Sequence, residues 1–264
     1  MRILLIGDVV GDPGRRVLRE LLPPLKAEFT PDVIIANGEN LAGGLGATPQ
    51  LIREITECGV HVVTMGNHTW RRPEFIKGID AFHHVVRPAN FPPSAPGAKT
   101  VVYEVGEGRR VAIFNLVGRT FMEPNDCPFR TGLEIVERLR AQTPVIVLDM
   151  HAEASSEKIA MGWYMDGKIS AVLGTHTHVQ TSDERILPQG TAYITDVGMT
   201  GPHDSIIGMK HEQVLTRFVT GIPSRYEVAE RDLRLHGVIV DIDEATGKAA
   251  RIQRISKSLG ESRQ

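Results

Sequence analysis

The sequence predicts an α/β fold. Three observations carry that expectation. Short apolar runs rich in β-branched residues recur along the chain, amphipathic stretches of helical length separate several of them, and two later segments alternate in polarity about turn residues. A chain of 264 residues with 41% apolar content can bury a sizeable core, and the expectation is one domain over residues 1–264.

The first run, residues 3–6, reads Ile-Leu-Leu-Ile and is followed by Gly7-Asp8. It is too short for a signal-peptide core and ends at an acid, so it is expected to be a first strand. Residues 16–29 form the first helical stretch, opened by Asp12-Pro13-Gly14. A second strand is expected at 33–36 and a second helix at 49–58, with Thr48 as its cap and Pro49 at its first position. Further strands are expected at 60–65, 145–148, 171–173 and 192–195. Residues 100–117 alternate about Gly106-Glu107-Gly108 and residues 237–255 alternate about 243–248, which predicts two hairpins and hence mixed sheets. Residues 87–99 are proline-rich turn chemistry within the domain, residues 121–130 and 200–209 read as long loops that could cover a site, and 256–264 read as a frayed tail.

A formal net charge of -2 argues against a basic surface for long nucleic acid and leaves small anionic substrates open. Cys58 and Cys127 are the only cysteines, too few for a disulfide framework or a thiolate zinc cluster, so a cytoplasmic, reducing compartment is expected. No apolar run approaches the roughly 18 residues of a membrane-spanning helix.

Function is signalled by position. Asp8 follows the first strand, Glu39 and Asn40 the second, Asn67 and His68 the third, His151 the run at 145–148, and His176 and His178 the run at 171–173. In sheets with helical crossovers, ligands bind beyond the carboxyl ends of the strands. One such residue alone is more often a cap or a hydrogen-bonded core group, but together these ends could converge on one site. His176-Thr177-His178 is the most informative pair, since an extended backbone would turn both imidazoles to the same side, with Gly174 allowing a sharp turn just before them. Imidazole, carboxylate and amide oxygen without thiolate suit iron, manganese or zinc better than calcium. Two divalent ions bring a charge of about +4, and Asp8, Glu39 and a bridging hydroxide remove about three, leaving a positive centre for a phosphodiester anion.

At these residues the sequence resembles the calcineurin-like metallophosphoesterases. Gly7-Asp8-Val9-Val10-Gly11, Asn37-Gly38-Glu39-Asn40 and Gly66-Asn67-His68-Thr69-Trp70 are similar to the narrower YmdB-type branch, which hydrolyses cyclic nucleotides. The resemblance implies a four-layer αββα sandwich of two mixed sheets and two metal ions, divalent or trivalent, with iron first and manganese or zinc as alternatives. It implies Asp8, Glu39, Asn40 and His178 around one ion and Glu39, Asn67, His151 and His176 around the other, with Glu39 bridging. His68 matches the proton donor to the leaving oxygen, a task that suits an imidazole because it can hold and release a proton near neutrality. The wider superfamily usually has His two residues after the first Asp, where this chain has Val10, and bridges with Asp, where this chain has Glu39.

The expected activity is hydrolysis of cyclic nucleotides, 2',3'-cyclic first and 3',5'-cyclic second, by a metal-bridging hydroxide with His68 as general acid. Short RNA ends and phosphomonoesters are the nearest rival substrates. The monoesterase alternative would favour cations at the mouth of the site, for which Arg15, Arg16, Arg71 and Arg119 are candidates. A regulatory metal-binding module and a metal-free nucleotide binder are alternatives of other classes. Against the first stands His68, which a structural site would not need, and against the second the lack of a glycine-rich phosphate loop. A homo-oligomer is expected. Leu41 to Gly46 reads as a connection to the second helix, Asp196 as a cap or a support to a ligand, and His61, His83, His84, His203, His211 and His236 as structural residues.

Overall fold

The computed structural model describes residues 1–260. In chain order the elements are β1 (Arg2–Ile6), β2 (Asp8–Val9), α1 (Gly11–Phe29), β3 (Val33–Asn37), α2 (Pro49–Glu57), β4 (Val62–Thr64), α3 (Pro73–Gly78), β5 (Val85–Val86), β6 (Thr100–Gly106) and β7 (Arg109–Val117). They continue with α4 (Pro128–Leu139), β8 (Ile146–His151), α5 (Ser155–Met165), β9 (Ala171–Thr175), β10 (Arg185–Ile186), β11 (Ala192–Ile194), β12 (Met199–Pro202), α6 (His211–Thr220), β13 (Leu233–Ile242) and β14 (Ala249–Ser258).

These strands form two mixed sheets. In the first the order is β2-β12-β13-β1-β3-β4-β5, with β14 on β13; β1, β3, β4 and β5 run parallel and β13 is antiparallel to β1. In the second the order is β10-β11-β9-β8-β7-β6, with a parallel centre from β11 to β7 and antiparallel partners at both edges. The 100–117 segment forms the β6–β7 hairpin and 237–255 lies within the β13–β14 hairpin.

Alternation within β1 shows how sequence becomes packing. Ile3 and Leu5 join a buried cluster with Val33 and Ile35 of the first sheet and with Ile113, Val147 and Leu173 of the second. Leu4 and Ile6 point the other way, into a cluster with Val17, Leu18 and Leu22 of α1 and Ile52 and Ile55 of α2. A third cluster joins Phe114, Leu116 and Leu148 to Ile135 and Val136 of α4 and Met161 and Met165 of α5. Burial of each such side chain contributes about 1.5–3 kcal/mol relative to exposure. A strand buried on both faces must be apolar at every position, which is why β1 and β3 read as continuous hydrophobic runs.

Several expectations change. Helix α1 begins at Gly11, five residues ahead of the expected start, and runs through Pro23 and Pro24. Thr48 caps α2 as expected, accepting a hydrogen bond from Leu51 N. The 200–209 segment starts inside β12, and Arg130 already lies in α4, so both long loops are shorter than their sequence suggests. The tail is not frayed at its start: Ser256 and Ser258 pair with His236 and Arg234, because β14 gains a hydrogen-bonded ladder along the whole of β13. Of the rest of that tail, residues 261–264 lie outside the described residues. Among the described residues no helix is long and apolar enough to cross a membrane.

Candidate active site

The parallel strands β1, β3 and β4 of one sheet and β8 and β9 of the other end at the same side of the molecule, and their carboxyl ends carry the polar residues. Asp8, Glu39 and His151 are completely buried, and Asn40 nearly so. His68 and His176 are partly open to solvent, with side chains 23% and 19% exposed.

One group of donors surrounds His151 Nε2. Asn67 Oδ1 lies 3.0 Å from it, His176 Nδ1 3.1 Å and Glu39 Oε1 3.2 Å. Glu39, His151 and His176 can between them hold a metal ion. Beside it lies a second group. His178 Nε2 is 3.7 Å from Asp8 Oδ1, and Asn40 Nδ2 lies 3.2 Å from His178 Nε2, 3.3 Å from Glu39 Oε1 and 3.4 Å from Asp8 Oδ1. Glu39 belongs to both groups. His68 reaches in from the side: its backbone N–H donates to Glu39 Oε2 at 2.9 Å, and its Nδ1 lies 2.8 Å from Asn40 Oδ1 and 3.1 Å from Glu39 Oε1.

All eight residues singled out in the sequence meet here, but the two histidines of 176–178 arrive differently from the expectation. Their φ angles are 97° and 65°, so the backbone is left-handed and not extended. His176 faces the His151 group and His178 the Asp8 group. The turn is held by Asp196, whose Oδ2 accepts hydrogen bonds from Thr177 N and Thr177 Oγ1, and by Asp8, whose Oδ2 accepts one from His176 N at 3.2 Å. Asp196 therefore supports the turn that carries His176 and His178. Gly174 serves a different end from the turn assigned to it: a Cβ there would lie 1.8 Å from the carbonyl oxygen of Thr195, so the close approach of the chain just beyond β11 demands glycine. Val10 is buried beside Gly201 and Gly208.

Each of the three histidines has its other ring nitrogen engaged by an acceptor. His151 Nδ1 lies 2.8 Å from Thr175 Oγ1, which in turn donates to Asp149 Oδ1 at 2.6 Å. His176 Nε2 is 3.1 Å from Glu153 Oε2, and His178 Nδ1 is 3.0 Å from the Ile207 carbonyl. Such partners fix the tautomer that leaves the inward nitrogen with its lone pair, as in metal-binding imidazoles. Asp149 and Thr175 carry no signal of their own in the sequence and Asn37 stands there only as part of the Asn37-Gly38-Glu39-Asn40 motif, although Asn37 and Asp149 sit at or near strand ends. Their role shows only when β3 and β8 are brought side by side across the two sheets.

The electrostatics fit a cation. Burial raises the Asp8 carboxyl above the usual range, aided by Glu39 and opposed by His178 and His151. Burial works the same way on Glu39, but the charge and hydrogen bonding of His151, followed by those of His68, hold it well below. For His151 burial is outweighed by Glu39, and its pKa is raised to about 9; burial and the charge of His151 lower His176 to about 3. Four acceptor atoms thus converge where a single proton has to be shared, and a positive ion would satisfy them together. Gly66 makes room for the convergence: a Cβ there would stand 2.3 Å from Glu39 Oε2 and 2.4 Å from His151 Nε2.

Of the candidate cations at the mouth, Arg15 is bound to Glu54, Asp12 and the Leu41 carbonyl, and Arg16 to Glu20. Arg71 lies 3.8 Å from Glu123, which lines a cavity of about 330 Å³ together with Asn67, Phe121, Met122 and His176.

Comparison with known proteins places these observations in a family. A family model described as YmdB-like protein matches residues 4–255. The chain is 52% identical over 255 residues to a 2',3'-cyclic-nucleotide 2'-phosphodiesterase of Bacillus subtilis, covering 97% of this chain and 96% of that protein. It is 34% identical to a putative phosphatase/phosphodiesterase of Mycoplasma pneumoniae, covering 97% and 92%. Among solved structures, a hypothetical protein from Thermus thermophilus superposes with a TM-score of 0.91 at 40% identity over 98% of this chain and 99% of that one. A novel phosphatase from Mycoplasma pneumoniae superposes with a TM-score of 0.92 at 34% identity, over 98% and 93%.

Proposed function

The chain belongs to the family of YmdB-like proteins, and on that premise we propose that it is a metal-dependent phosphodiesterase that opens the ring of 2',3'-cyclic nucleotides. The observation that carries this reading is the set of three imidazoles, each with one nitrogen tied to an acceptor and the other turned to buried carboxylates. The name of the Bacillus subtilis relative supports the choice of substrate. The three apolar clusters support reading the two sheets and their helices as a four-layer αββα sandwich forming one domain.

Glu39, Asn67, His151 and His176 would hold one ion, and Asp8, Asn40 and His178 with the shared Glu39 the other. Iron is the first choice for both. Asn40 offers its oxygen to the second set when the two ends of its amide are exchanged. When bound, the ions supply positive charge for the phosphate oxygens and acidify the water that attacks phosphorus.

The chain's own groups do the rest. Glu39, held ionised, balances part of the charge between the two sets. Asp196 and Asp149 keep His176, His178 and His151 in their orientations through Thr177 and Thr175. After that exchange the Asn40 amide nitrogen faces His68 Nδ1 and donates to it, so the proton that His68 delivers is the one on Nε2. As water adds to phosphorus and the bond to the ribose 2'-oxygen breaks, that proton neutralises the departing alkoxide, leaving a 3'-phosphomonoester. General acids of this kind contribute about 10²–10⁴-fold in rate.

The test is metal analysis of the purified protein with turnover of 2',3'-cyclic AMP, for the native chain, Glu39→Gln and His68→Ala. Two ions per chain, loss of both metal and turnover in Glu39→Gln, and retained metal with lost rate in His68→Ala are expected. Turnover unchanged by both substitutions would overturn the reading.

A further inference from the structure

The segment after β7 bears on how a substrate would be seated. Its start is fixed: Gly118 N donates to the His151 carbonyl at 2.9 Å, and the Arg119 and Thr120 amides donate to the buried Glu157 carboxylate at 3.0 to 3.2 Å. Its end is fixed by Asn90, which accepts from Asp126 N and donates to the Asp126 carbonyl. Between these anchors stands Phe121. The residue is 89% exposed, and its φ of 60° is left-handed. An exposed aromatic ring gains little from folding, and a left-handed backbone at a non-glycine residue is strained. Two unfavourable features on one residue of an anchored loop mark a functional position.

The cavity of about 330 Å³ supplies the second observation. It is lined by Asn67 and His176 of the donor set together with Phe121, Met122 and Glu123. That volume is at the low end of the range of about 300–1,000 Å³ for small-ligand clefts. The phosphate belongs beside Asn67 and His176 of the donor set, which leaves Phe121 and Met122 for a neutral, flat group.

We infer that Phe121 is the stacking platform for the nucleobase and so makes the site prefer nucleotides over phosphodiesters that carry no base. The inference rests on the phosphodiesterase reading above. Stacking accepts every base, because each has a π-face, so all four 2',3'-cyclic nucleotides should be used.

The experiment compares kcat/KM for 2',3'-cyclic AMP with that for 1-O-methylribose 2',3'-cyclic phosphate, in the metal-loaded native protein, Phe121→Ala and Phe121→Trp. A base–aromatic stack is worth about 1–3 kcal/mol, so the preference for the nucleotide should fall about 5- to 150-fold in Phe121→Ala. The fall should appear in KM, and Phe121→Trp should keep the preference. A preference unchanged in Phe121→Ala, or lost equally in Phe121→Trp, overturns the inference. A 2-aminopurine riboside 2',3'-cyclic phosphate separates the two readings, since its fluorescence is quenched on stacking. Quenching in the native protein that is lost in Phe121→Ala, without turnover, would uphold the platform and sink the phosphodiesterase reading. Turnover without quenching would do the reverse.

Discussion

Lys158 and Asp196 form a buried ion pair, with Nζ 2.7 Å from Oδ2 and both side chains at most 1% exposed. The same carboxylate oxygen accepts from Thr177, and Oδ1 accepts from Gly198 N at 2.8 Å. Helix α5 thereby reaches the turn that carries His176 and His178. Removing one partner of a buried pair leaves an uncompensated charge, so Lys158→Met should destabilise the fold by about 3–5 kcal/mol. The double variant Lys158→Met with Asp196→Asn should recover part of that loss. Urea denaturation of the three proteins checks both statements, and a double variant no more stable than Lys158→Met would sink the second.

Thr175→Val keeps shape and removes the hydroxyl between His151 and Asp149. Groups that orient a metal-binding imidazole are typically worth 10–100-fold in metal affinity, so manganese binding followed by calorimetry should weaken by about that factor. Asp149, raised to about 6 mainly by burial, loses a donor to its charged form in this variant, so its pKa should rise further. Unaltered manganese affinity would show that Thr175 does not position His151.

Gly66→Ala places a methyl group within 2.5 Å of Glu39 and His151. Overpacking of this kind costs about 1–3 kcal/mol. The donors would be forced apart, so metal content and turnover should fall together while circular dichroism at room temperature remains native. Full metal occupancy in this variant would contradict the tight convergence of the two side chains.

His203 and His236 pack with their rings tilted by 58° and the centroids 4.4 Å apart. Burial first, then the charge of His203, lowers His236 to about 4, and burial also lowers His203. Their folded-state pKa values lie below the ordinary value of 6.5, so in acid the unfolded chain binds protons that the folded chain refuses. Their stabilising contribution is intact above pH 6.5 and is lost as pH falls from 6.5 towards about 4. The urea midpoint should drop across that window, and His236→Asn should flatten the dependence. An equal drop in the variant would remove His236 as the cause.

Much of the fold was legible because its signals are local. The apolar runs of β1, β3, β8 and β9 are continuous because both faces of each strand are buried, and the two hairpins announce themselves by alternation about turn residues. Edges were less legible. The strand at 256–258 has no hydrophobic pattern of its own and exists because β13 offers it a ladder, and α1 starts early at a glycine where no capping side chain marks the boundary.

The sequence by itself determined which residues have donor chemistry and that each follows a strand, since composition and short-range periodicity are written along the chain. Only the tertiary structure decided how they meet. Whether His176 and His178 share a direction depends on a left-handed turn held by Asp196 from another strand end, and whether His151 presents Nε2 depends on Thr175 and Asp149 brought together by β8 and β9. The physical reason is that a lone pair's direction is fixed by the hydrogen bond on the far side of its ring. That bond is made by residues distant in sequence, which become neighbours only when the sheets close on each other.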